Sequence, residues 1–304
     1  VGAIMMPQML KKGYSAPFTV TLAASAGLLE ALIPPSNAAI IYSSLTMVPV
    51  SQTFAAGVFP GLVLLIILIL VVIVRCRNMP REPKANSAER LTALYAAAPG
   101  LMTPVIILGG IYSGLMTPSE TAAVAAVWGI FVGFAIHREM TFKGLWQALQ
   151  ATAVTTSVIF SIIAMATFLS VVLTYTQVPQ HLTSYLIGFG ITPILFLFMV
   201  GAICLLLGTF IEIVPVFYLT VPVFMAVAIT LDIPLTHLYI VFTGFAGLGL
   251  LTPPVCIGLY TAAGVINISA DRAFREVPLF LAVGIGYATL MIFLPGLATW
   301  LPGT

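Results

Sequence analysis

Ala26-Gly27-Leu28-Leu29-Glu30-Ala31-Leu32-Ile33-Pro34-Pro35 lies inside an apolar segment, residues 17–47, that is long enough to cross a bilayer yet is interrupted between Glu30 and Ser36. Ala246-Gly247-Leu248-Gly249-Leu250-Leu251-Thr252-Pro253-Pro254 interrupts a second apolar segment, residues 234–266, in the same way. Each stretch is Ala-Gly-Leu, a short linker and a Pro-Pro pair. Proline has no N–H and cannot continue a helical ladder. In lipid, the backbone groups orphaned by such a break cost several kcal/mol each unless they line a cavity or hold a ligand. The likeness continues downstream: Pro60 follows nine residues after Val50-Ser51, Pro278 follows nine residues after Ile268-Ser269, and each begins a new span.

Outward from the breaks, composition identifies the solvent. Of 304 residues, 61% are hydrophobic and 7% charged; soluble domains carry about 25% charged residues, so the bilayer must solvate most of this chain. The other apolar segments are 1–10, 54–75, 92–113, a helix from Thr117 to Ile136, 145–176, 192–231 (broken around Gly208 to Pro215) and 277–299. Thr117-Pro118-Ser119-Glu120 reads as a helix start with Thr as N-cap, Pro at N1 and Glu at N3, which makes Glu120 a capping group rather than a transport residue. Taking 192–231 as a hairpin that enters and leaves on one side, and both interrupted segments as full crossings, places the loops at 11–12, 75–90, 138–143 and 271–276 on one face. Those loops hold all eleven Lys and Arg. The positive-inside rule makes that face cytoplasmic and the C-terminus periplasmic.

The remaining special residues point elsewhere than to chemistry. The net charge of +2 gives no reason to expect nucleic acid. Cys76, Cys204 and Cys256 lack metal-ligand spacing, and their odd number is no disulfide framework. His137, His181 and His237 fall in loops or at segment ends without partner spacing for a transition metal or a catalytic dyad. Trp128, Trp146 and Trp300 suit packing or interfacial anchoring. Val1 begins no signal-peptide pattern, and the sequence is expected to continue N-terminally of it.

On this topology residues 17–47 run outward and 234–266 inward, so the two copies are inverted. Gly/Pro-interrupted helices at matching places of inverted halves point to the binding site of a secondary transporter. Carbonyls at a broken end suit a cation, and the N-terminus of the following half-helix favours an anion. An intramembrane enzyme is the alternative. It requires a nucleophile–base or carboxylate pair at membrane depth, and the mid-span acids Glu30 and Glu212 fall in opposite repeats. A channel calls for a ring of like charge or a filter loop.

At these residues the chain resembles a known family. Leu32-Ile33-Pro34-Pro35-Ser36, Gly114-Leu115-Met116-Thr117-Pro118-Ser119-Glu120-Thr121-Ala122-Ala123-Val124, Leu207-Gly208-Thr209-Phe210-Ile211-Glu212 and Gly249-Leu250-Leu251-Thr252-Pro253-Pro254-Val255 are similar, in order along the whole chain, to the large membrane subunit of tripartite ATP-independent periplasmic (TRAP) transporters, the DctM-like family. Glu30, Leu28 and Cys256 depart from its usual small residue, Thr and Gly. The resemblance implies an all-α polytopic fold: an inverted-repeat, elevator-type transporter with re-entrant hairpins and discontinuous helices. It implies no enzyme activity and no organic cofactor or transition-metal site. Na⁺ is the implied coupling ion, with H⁺ the other possibility. The implied partners are a small DctQ-like membrane subunit, a periplasmic substrate-binding protein, an organic acid anion such as a C4-dicarboxylate or sugar acid, and the lipids of a bacterial inner membrane. The family's first hairpin tip is expected to precede residue 1.

Five regions follow: a first-repeat transport region, 1–53; a span and cytoplasmic loop, 54–91; scaffold and arm helices, 92–190; a second-repeat transport region, 191–267; and a final span, 268–304. The candidate Na⁺ ligands are Gly27, Pro34, Ser36, Gly208, Glu212, Gly247, Thr252 and Pro253. The candidate substrate contacts are Ser36, Asn37, Thr209 and Pro254.

Overall fold

A computed structural model describes residues 2–77 and 86–303; Arg81 and Lys84 of the basic loop lie outside these. The described residues are helical, with no strand among them. In order they form α1 (Gly2–Lys11), α2 (Ala16–Leu32), α3 (Asn37–Thr46), α4 (Val50–Arg75), α5 (Ser87–Tyr112), α6 (Pro118–Phe131), α7 (Phe142–Tyr175), α8 (Val178–Gly188), α9 (Pro193–Gly208), α10 (Ile213–Thr230), α11 (Leu235–Gly249), α12 (Ile257–Val265), α13 (Val277–Phe293) and α14 (Gly296–Thr299). Among the described residues, five helices are long and apolar enough to cross a membrane, and six when α2 and α3, bent by 42°, count as one broken span. The chain is thus an all-α polytopic membrane protein.

The chain divides into two compact units, Val1–Asn78 with Met165–Thr304, and Met79–Ala164. In the second unit α5 packs on α6. The expected helix start is present: Thr117 Oγ1 accepts from the Glu120 N–H at 3.3 Å, and the Glu120 carboxylate accepts from the Thr117 N–H at 2.8 Å. Trp128 Nε1 donates to the Pro99 carbonyl at 3.0 Å, tying α6 to α5.

In the first unit the packing is paired. α2 lies on α4 as α11 lies on α13, α1 contacts α12 as α10 contacts α3, and α2 and α11 pack on each other. This is the pattern expected of two related halves. The core is an aromatic cluster in which Tyr42, Phe217, Tyr239 and Phe242 are fully buried, with Tyr42 and Tyr239 ring centroids 5.2 Å apart and Phe217 edge-on to both. His237 is in the first turn of α11, but it is buried, with Nε2 2.8 Å from the Met291 carbonyl of α13.

Candidate functional site

Both breaks begin as arithmetic on a helical ladder. Each carbonyl i accepts from the N–H of i+4, and Pro34 and Pro35 remove the partners of the Glu30 and Ala31 carbonyls. α2 therefore ends at Leu32, with Ile33 N–H closing on the Leu29 carbonyl at 2.7 Å. The Ala31 carbonyl is rescued twice. It accepts from Ser36 Oγ at 2.8 Å and from the Tyr239 hydroxyl, contributed by α11, at 2.6 Å. Ser36, 1% exposed, also caps α3 by accepting from the Ala39 N–H at 3.3 Å. Among the described residues the Glu30 carbonyl receives no such replacement.

Tyr42 makes the reciprocal bond. From α3 its hydroxyl donates to the Leu235 carbonyl at the start of α11, at 2.7 Å. Two buried, neighbouring tyrosines thus each donate into the other half of the molecule. Sequence reasoning singles out neither. The available signal is chemical: a tyrosine in an apolar half-helix must find an acceptor when buried, and a Pro-Pro break supplies one.

The second break is tightened by short-range bonds. Leu250, Leu251 and Thr252 N–H groups close on the Gly247, Leu248 and Gly249 carbonyls at 3.2, 3.0 and 2.9 Å. Thr252 Oγ1 donates to Leu248 at 2.9 Å. Cys256, at φ 48° and ψ 49°, turns the chain into α12. Both Pro-Pro bonds, 34–35 and 253–254, are cis.

The hairpin meets this break through glycine. α9 and α10 pack on each other across the turn Thr209 to Glu212, and α9 lies along α11. Gly201 sits under the Phe245 ring. A Cβ on Gly208 would overlap the Ala246 carbonyl, and one on Gly249 would overlap the Gly208 backbone. Gly247 faces Leu28 where α2 and α11 meet, and a Cβ added there would stand only 2.9 Å from Leu28 Cγ. A Cβ on Gly57 of α4 would likewise overlap the Leu32 carbonyl at the first break. Backbones approach one another here at distances only glycine permits.

The candidate residues therefore separate. Ser36 is built into the first break, while Gly208 and Thr209 lie at the hairpin–α11 contact and Gly247 lies where α11 meets α2, all of them buried. The Thr209 hydroxyl is occupied by the Leu206 carbonyl at 2.7 Å. Pro34 and Thr252 are half-buried. Gly27, Asn37, Glu212, Pro253 and Pro254 are exposed, and so is Glu30, which sits in the last turn of α2 rather than in the break. Glu212 is the N-cap residue of α10 without a side-chain cap bond. No three His, Cys, Asp or Glu gather among the described residues. A cation held at either break would rest on carbonyl and hydroxyl oxygens.

Broken helices meeting at small residues, with a glycine-seated hairpin against one of them, define a permease subunit of a secondary transporter. The model for the family "Tripartite ATP-independent periplasmic transporter, DctM component" matches residues 1–297, and the chain belongs to that family. It is 34% identical to the C4-dicarboxylate TRAP transporter large permease protein DctM of Pseudomonas aeruginosa, over 99% of this chain and 71% of the relative. It is 31% identical to the sialic acid TRAP transporter large permease protein SiaM of Vibrio cholerae, over 96% and 69%. It is also 28% identical to the isethionate TRAP transporter permease protein DctMQ of Oleidesulfovibrio alaskensis, over 100% and 48%. The chain is a transport subunit and not an enzyme, and a multi-pass protein of the bacterial inner membrane; membership of this family implies a small membrane subunit and a periplasmic binding protein as partners.

Proposed function

We propose that this permease couples Na⁺ entry to uptake of an organic acid anion, handed over by its periplasmic binding protein, with a small DctQ-like subunit beside it in the membrane. The observation that carries the reading is the pair of Pro-Pro breaks, at which main-chain oxygens are withdrawn from the helical ladder. Hard oxygen donors of this kind suit an alkali cation. The half-helix N-termini that follow, at Asn37 and Ile257, favour the carboxylate of a substrate.

On this reading Gly27, Pro34 and Ser36 contribute to one ion site. Gly208, Glu212, Gly247, Thr252 and Pro253 contribute to the other, and Ser36, Asn37, Thr209 and Pro254 face the substrate. The regions 1–53 and 191–267 move as the carrier of an elevator against a scaffold drawn from 92–190. The basic loops are cytoplasmic and the C-terminus periplasmic. The substrates named for the relatives, a C4-dicarboxylate, sialic acid and isethionate, are all acids and set the panel to be tried.

The test is uptake of radiolabelled acids into proteoliposomes holding the permease and its small subunit, with the binding protein outside. An imposed Na⁺ gradient is expected to drive accumulation that vanishes without the binding protein. Accumulation driven by a proton gradient in Na⁺-free buffer would replace Na⁺ with H⁺ as the coupling ion. Uptake indifferent to both gradients would overturn the proposal.

A further inference from the structure

An open groove of about 590 Å³ runs between α4 and α13. Its walls are aliphatic, from Ile67 to Val74 on α4 and from Leu279 to Val283 on α13, and its mouth is formed by Arg75, Arg275 and Glu276. The chemistry changes where the helices do. The apolar span of α4 ends at Arg75 and that of α13 begins at Val277, so the charged mouth stands at the boundary between hydrocarbon and headgroups.

The charges at the mouth do not cancel. One nitrogen of Arg75, Nη2, lies 2.7 Å from both carboxylate oxygens of Glu276, which leaves Nη1 and Nε with their donors. Arg275 is exposed and has no acidic partner among the described residues. Two guanidinium groups thus face one carboxylate above an apolar slot. A planar guanidinium is suited to bidentate contact with phosphate oxygens. Basic pockets between membrane helices recognise anionic lipid headgroups.

We propose that this groove is a binding site for an anionic phospholipid. Its phosphate lies on Arg275 and the free edge of Arg75, and an acyl chain runs between α4 and α13. The wall from Ile67 to Val74 is about 10 Å of helix at about 1.5 Å per residue, enough to seat the upper part of one chain. The Arg75–Glu276 pair fixes the Arg75 guanidinium and ties the two helix ends together. Because α4 and α13 close the two related halves, the lipid would join them at the membrane surface.

Native mass spectrometry of the permease purified with its small subunit tests this, using phosphatidylglycerol and phosphatidylethanolamine as probes. Phosphatidylglycerol is expected to bind about fivefold more tightly, the effect of one basic residue near an anionic surface. Arg275→Gln is expected to erase that preference, Val283→Trp to block both lipids by filling the slot, and Arg138→Gln, in another basic loop, to change neither. Equal affinity for the two lipids, an unaffected Arg275→Gln variant, or an equal loss in Arg138→Gln would overturn the site. So would a photo-crosslink from position 279 that captures the small subunit in place of lipid.

Discussion

A carbonyl oxygen has two lone pairs, and that of Ala31 uses both on hydroxyls, one local (Ser36) and one from the opposite half of the molecule (Tyr239). The local bond closes the break and the distant bond sets where the break stands. A hydroxyl-to-carbonyl bond of this kind contributes about 1 kcal/mol net, and its loss would let the carbonyl layer at residues 30 to 33 relax. Tyr239→Phe removes the distant bond and keeps the ring in its aromatic cluster. The expected result is a Na⁺ half-saturation for uptake raised about fivefold, on a scale where about 1.4 kcal/mol is tenfold, with membrane insertion intact. Tyr42→Phe is the matched control. It loses an equal bond from the same cluster, but its acceptor, Leu235, is at the far end of α11 from the second break. Equal shifts in the two variants would show that the tyrosines only stabilise the core.

At the scale of elements, the hairpin is seated on α11 by backbone contact, and this makes a sharper prediction than any polar residue does. Gly208→Ala places a methyl group against the Ala246 carbonyl, which is held in a helix and cannot yield as a flexible side chain would. Overpacking of this sort costs about 1–3 kcal/mol. Measured by thermal unfolding in detergent, Gly208→Ala is expected to lower the midpoint and to abolish substrate uptake. Gly286→Ala, in α13 with open space around it, is expected to leave both unchanged. An active Gly208→Ala variant would mean that the hairpin does not need this seat.

The long apolar elements and all three interruptions are legible in the sequence, because a Pro-Pro pair or a Gly-rich gap leaves main-chain groups unpaired in hydrocarbon, which a span tolerates only where the helix is truly broken. Their edges are less so. α2 continues through Glu30 to Leu32, since a carboxylate at a helix end can stay exposed without stopping the ladder. α5 begins at Ser87, five residues before the apolar run, because Asn86 and Glu89 form a capping box that starts a helix in polar sequence. α8 occupies a stretch, Val178–Gly188, that reads as a connection because it is short and mixed in polarity. In the site, Ser36, Gly208 and Gly247 stand out through their motifs. Tyr239 and Gly57 do not, because what selects them is a partner distant in sequence, and no local pattern encodes that.

For the whole molecule, the distribution of charge argues for one orientation. All eleven basic residues fall in four loops, and the pairing of α1 with α12 and of α10 with α3 relates two halves of the first unit. If the halves are inverted in the membrane, the loop at 138–143 and the segment after α13 must open on opposite sides. Single cysteines introduced in place of Arg138 and Gly303, after replacing Cys76, Cys204 and Cys256, make this measurable in whole cells with a membrane-impermeant thiol reagent. Both sites are exposed in the fold, so accessibility should depend on the side of the membrane alone. Gly303→Cys is expected to be labelled in cells with a permeabilised outer membrane. Arg138→Cys is expected to be labelled only after the inner membrane is disrupted. Labelling of both from outside would require an even number of crossings between the two positions, where this topology has three, and would undo the inverted relation on which the assignment of the two ion sites rests.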